Sequence, residues 1–164
     1  MNRWRRLIVA LALFGAALAG LRAYAPSDER RIQRLLANLA TEASRPAQGK
    51  ALANLAAANR LADYFAPEFQ INVTASGVPD LAINDRGELV QAIVAARARQ
   101  GSVKVALLDP RTIELRVGTA VVEATAKAQN TGEPEPLIAM LRFTLAKLEG
   151  RWRIQRIESV RPFE

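Results

Sequence analysis

The hydrophobic period of this chain changes once, near Gly101, and that change constrains the architecture more than any other feature. Upstream, apolar residues recur at helical spacing; downstream, they alternate. Ile32, Leu35, Leu36, Leu39 and Ala43 predict a first helix. Ser27 is its expected N-cap, with Asp28 and Glu29 against the positive dipole end. A second helix is expected from about Ala51 to Phe65, with Leu52, Leu55, Asn59, Ala62 and Phe65 near one face, ended by Pro67. Phe69, Ile71 and Val73 then alternate with polar residues as a short strand, and "ASGVPD" reads as a turn. A third helix opens near Asn84 or Asp85, where Glu88 completes a capping box with Asp85. Leu89, Ile93 and Val94 line it.

Beyond Gly101 the apolar positions are Val103, Val105 and Leu107, then Ile113, Leu115 and Val117 after an expected Asp109-Pro110 turn. Ala120, Val122, Ala124 and Ala126 follow, then Leu137 to Leu145. Glu149-Gly150 reads as a hairpin turn before Trp152, Ile154, Ile157 and Val160. The phase slip between Ile154 and Ile157 predicts a bulge. Helices first and strands last argue an α+β domain, with helices on one face of an antiparallel sheet.

The chain has no Cys and no His. Disulfides, thiol nucleophiles, imidazole acid–base chemistry and the usual zinc sites are therefore excluded. No metal-ligand spacing, phosphate loop or nucleophile–base pair is visible, and no cofactor is expected. The formal charge of +7 is concentrated at one end, in Arg3, Arg5, Arg6 and Arg22. Without residues 1–25 the balance is 19 basic against 16 acidic residues. The basic residues of the remainder are interleaved with acids rather than massed with aromatics, which argues against nucleic-acid binding.

"MNRWRR" is followed by "LIVALALFGAALAGL", residues 7–21, without a charge. Basic residues beside an apolar run stay cytoplasmic, so residues 26–164 are expected outside the cytoplasm. Two readings remain for residues 1–25. They are a signal segment cut near Ala19, or an uncleaved single-pass inner-membrane anchor over residues 7–25. The anchor is favoured. Arg22 and Tyr24 suit a membrane interface, and Pro26 spoils a cut after Ala25.

The stretches "YFAPEFQINV", "INDRGELVQAI", "AVVEATA" and above all "LEGRWRIQRI" resemble the nuclear transport factor 2-like superfamily. It includes ketosteroid isomerase, scytalone dehydratase and SnoaL-type cyclases. The resemblance covers about Asp28 to Pro162. It implies a cystatin-like cone: a curved antiparallel sheet wrapped around the N-terminal helices, here preceded by a transmembrane helix. It also implies that pairing through the outer sheet face is common, so a homodimer is expected, and Ile138 and Met140 offer apolar support for one.

Superfamily enzymes carry Asp, His or Tyr in the cone's pocket. On the last strands, Lys104, Glu114, Arg116, Glu123, Lys127 and Arg142 fall on the opposite phase from the apolar residues. The inner sheet face is therefore expected to be oily, since a slip would bury unpaired charge. Asp63 and Tyr64, at the end of the second helix, are the weak catalytic candidates: a proton-transfer base and an enolate stabiliser. A helix-end Asp in water and a packed Tyr ring explain the same residues. Asp85 is read as a cap and Trp152 as core. Ala120, Ala124, Ala126 and Ala139 either admit a helix closely or leave room for a small apolar ligand. The leading expectation is a membrane-anchored, periplasmic binding or scaffold domain that pairs with itself or with an envelope protein. The alternative is a small lyase or isomerase using Asp63 and Tyr64.

Overall fold

The computed structural model describes residues 27–47, 50–74, 80–100, 103–130 and 135–160. The expected anchor or signal segment and most of the "ASGVPD" turn lie outside them. Among the described residues, no helix is long and apolar enough to cross a membrane. The chain divides into two compact units, residues 1–31 and 32–164, and the packing below concerns the second.

The elements are α1 (Asp28–Ala43), α2 (Ala51–Ala62), β1 (Phe65–Val73), β2 (Leu81–Ile83), α3 (Arg86–Gln100), β3 (Val103–Arg116), β4 (Thr119–Asn130), β5 (Leu137–Leu148) and β6 (Arg151–Ser159). Both expected caps form. Ser27 Oγ accepts from the Arg30 amide at 3.4 Å, and Asp85 Oδ1 accepts from the Glu88 amide at 2.9 Å.

The six strands lie in the order β2-β1-β6-β5-β4-β3. Neighbours are antiparallel except β1 and β6, which run parallel. The sheet is thus mixed rather than wholly antiparallel, because β1 pairs with β2 on one side and lies beside the last strand, β6, on the other. β2 escapes sequence reading, being three residues long and lacking a clear alternation.

Asp109-Pro110 is not a turn. β3 runs through it, with Asp109 at φ 50° and the register shifting between Leu108 and Arg111. Proline lacks an amide donor, so it is tolerated on this edge strand at an irregularity. The expected bulge on β6 is present: Thr144 pairs with Arg156 but Leu145 with Ile154, leaving Gln155 extra. Glu149 and Gly150, at φ 48° and 77°, make the two-residue hairpin turn that demands left-handed backbone.

Register aligns one inner row across all six strands: Thr112, Val122, Phe143, Ile157, Ile71 and Ile83. Phe143 and Val122 are sealed from water, and Leu145 and Ile154 lie beside them. Ile32 and Leu36 of α1 close this core, with Trp152 inside it. Ala120 and Ala124 are buried, which favours close packing over an open space at that end of β4. α2 differs from expectation. Its buried face is Ala57, Ala58, Leu61 and Ala62, whereas Leu52 is 81% exposed and Leu55 44%. Small side chains let the helix backbone approach, so three alanines and Leu61 face inward rather than Leu52 and Leu55.

β3 is a sheet edge whose free backbone groups invite another strand. Ser44, just past α1, blocks it. Its hydroxyl accepts from the Val105 amide at 2.8 Å and donates to the Val105 carbonyl at 2.9 Å.

Candidate functional site

The inner sheet face carries packed aliphatic and aromatic side chains, as its alternation requires. Among the described residues, charge enters the interior at one place: Glu42 is the only buried polar or charged residue, 7% exposed. It stands in the last turn of α1, three residues beyond Leu39 and seven beyond Leu35. That spacing puts it on the helix's apolar stripe.

Three guanidinium groups meet it. Arg60 Nε, from α2, donates to Oε1 at 2.7 Å. Arg45 Nε reaches Oε2 at 3.1 Å. Arg97 Nη2, from α3, donates to the Glu42 backbone carbonyl at 3.0 Å. Partial burial pushes the Arg97 guanidinium down from its ordinary value; Glu42 opposes that shift, while Arg60 and Arg45 add to it. One carboxylate thus faces three arginines, and the local charge remains positive.

Beside this cluster lies a cavity of about 290 Å³, lined by Glu42, Arg60, Asp63, Tyr64 and Arg153. Both sequence candidates therefore reach one place. Asp63 caps the end of α2, its amide bonded to the Asn59 carbonyl at 3.0 Å. Its carboxylate is 64% exposed and accepts from Arg86 Nη2 at 2.7 Å. It lacks the apolar burial that turns a carboxylate into a general base. Tyr64 is half-buried, packs against the core, and its carbonyl accepts from the Ile154 amide at 2.9 Å.

Sequence reading missed Glu42, Arg45, Arg60 and Arg97 as members of a site. The one legible signal was an acid on an apolar helical stripe. The arginines come from different elements, and no local spacing links them.

On the outer face, register aligns Arg111, Glu123, Arg142, Glu158 and Asn72. Arg142 Nη2 donates to Glu123 Oε1 at 2.7 Å, and this bonding holds its guanidinium above the ordinary arginine range. Ile138, Met140 and Leu108 are exposed beside that charged row. Among the described residues, no three His, Cys, Asp or Glu side chains group as metal ligands.

No family model and no curated protein matches the sequence. Solved structures do resemble it. A nuclear transport factor 2-like protein of unknown function from Pseudomonas aeruginosa aligns with TM-score 0.63 at 14% identity, over 79% of this chain and 97% of that one. A nuclear transport factor 2-like protein with a cystatin-like fold from Novosphingobium aromaticivorans gives 0.58 at 16%, over 97% and 90%. A protein of the same organism, provisionally named a scytalone dehydratase, gives 0.59 at 14%, over 83% and 85%. The chain therefore has the nuclear transport factor 2-like, cystatin-like α+β fold. At such identities the likeness is one of fold, and function must come from the site.

Proposed function

We propose that residues 26–164 form a non-catalytic binding or scaffold domain outside the cytoplasm, tethered to the inner membrane by residues 7–25. The observation that carries the non-catalytic reading is the filled, apolar inner face, where an enzyme of this fold would need polar groups. The tether rests on the uncharged run after three arginines. An alkaline phosphatase fusion at Glu164 tests it: activity is expected, and an inactive fusion with a cytoplasmic reporter active instead would end it. The mass of the mature chain separates anchor from signal, since a new N-terminus near Gly20 means cleavage.

The outer sheet face is the proposed contact surface, with a second copy or an envelope protein as partner. Ile138, Met140 and Leu108 supply its apolar part. Ile138→Glu with Met140→Glu is expected to shift a sedimenting dimer to monomer.

One observation favours a second reading. Asp63 and Tyr64 line the same cavity with two arginines. A small lyase or isomerase would use Asp63 as base and the Tyr64 hydroxyl as proton donor to the developing enolate. Asp63→Asn and Tyr64→Phe would then each abolish turnover while leaving the melting temperature within about 2 °C.

A further inference from the structure

Asp63 and Arg153 line both the charged cavity and a second one of about 680 Å³. The second cavity's lining includes Arg86, Lys147, Arg151 and Arg153 against Asp63 and Glu149. Cations therefore outnumber acids on that side, while Arg45 and Arg97 stand behind Glu42 on the other.

Both acids that line the smaller cavity already have partners. Glu42 gives one oxygen to Arg60 and the other to Arg45. Asp63 is bonded to Arg86. Arg153 itself is half-buried, and its side chain makes no hydrogen bond or ion pair with a described residue. A guanidinium partly withdrawn from water still presents its fork of N–H donors, and such a fork matches a carboxylate or phosphate. The Tyr64 hydroxyl is likewise without a hydrogen bond among the described residues.

We propose that Arg153 anchors an oxyanion-binding site where the two cavities meet, taking the phosphate or carboxylate group of a small molecule. Arg60 and the Tyr64 hydroxyl are the further donors on the smaller cavity. The surrounding cations make the pocket electropositive, and Phe65, Ala66, Pro67 and Leu148 offer apolar wall to the rest of the ligand in the larger one. This site is independent of where the domain resides and of whether it catalyses anything.

The test is thermal unfolding of the full-length chain in detergent, at constant ionic strength. Sodium chloride is replaced stepwise by inorganic phosphate in one series and by sodium benzoate in another. Arg153→Gln and, as a charge-matched control, the exposed Lys104→Gln are measured alongside. A saturable rise of roughly 3 °C at tenfold over the dissociation constant is expected in the parent and in K104Q, and its loss in R153Q. Arg153 has no partner to strand, so R153Q should melt near the parent in chloride; Arg153→Lys, which keeps the charge without the fork, should retain part of the rise. A phosphate response lost in R153Q assigns a phosphate ligand, and a benzoate response lost assigns a carboxylate. Phosphate also stabilises proteins without a site. Equal responses in parent and R153Q, or none in either series, would overturn the proposal.

Discussion

Two rows of residues cross the sheet one position apart, and they live in different media. The inner row is Thr112, Val122, Phe143, Ile157, Ile71 and Ile83. The outer is Arg111, Glu123, Arg142, Glu158, Asn72 and Ala82. Each outer residue is the chain neighbour of an inner one, and the pleat alone separates them. A one-residue slip of β3, β4, β5 or β6 would put its charge into the core, so the register defends itself there. The Glu42 corner is the instructive contrast, because there a charge is buried without a slip. Arg45 and Arg60 satisfy the Glu42 carboxylate, and Arg97 bonds the backbone carbonyl of the same residue.

Truncation should break the two rows very unequally. Phe143→Ala removes a side chain that is 2% exposed at the centre of the inner row. It is expected to cost about 3–5 kcal/mol in urea unfolding. A loss under about 1 kcal/mol would mean that the core has room to collapse, or was never tight. Glu42→Ala comes next. It strands Arg45 and Arg60, both half in water, while Arg97 keeps its bond to the backbone carbonyl of residue 42. Discounted for that screening, about 2 kcal/mol is expected, with added salt restoring part of it.

Thr112 sharpens the comparison from the other direction. It is the polar member of the inner row, and its hydroxyl oxygen is buried without a hydrogen bond. Thr112→Val keeps the shape and removes the orphan, so a gain of about 1 kcal/mol is expected by the same measurement. The smallest effect belongs to the outer row. Glu123→Gln weakens ion pairs to Arg142 and Arg111, whose side chains are 42% and 78% exposed. Less than about 1 kcal/mol should be lost, and nothing at high salt.

Much of the fold was legible because period and phase are local. The helix caps at Ser27 and Asp85, the bulge after Ile154 and the oily inner face all follow from neighbours within four residues. Three readings failed where distant packing decided. α2 turned its alanines inward because close approach was available there. Asp109-Pro110 stayed within a strand because the edge tolerated a bulge. β1 joined β6 in parallel because β2 took only one of its edges and the last strand lay along the other.

The candidate site divides in the same way. Asp63 and Tyr64 were visible as a polar pair at a helix end, but sequence could not show that Arg86 holds Asp63 in solvent. Nor could it show that Arg60, Arg97 and Arg153, from two helices and the last strand, gather near Glu42. By itself the sequence determined the α+β class, the apolar inner face and the chemistries closed to a chain without Cys or His, since these depend on residue type and short-range spacing. Only the tertiary structure decided which charges share a cavity, because that requires bringing together residues more than a hundred positions apart.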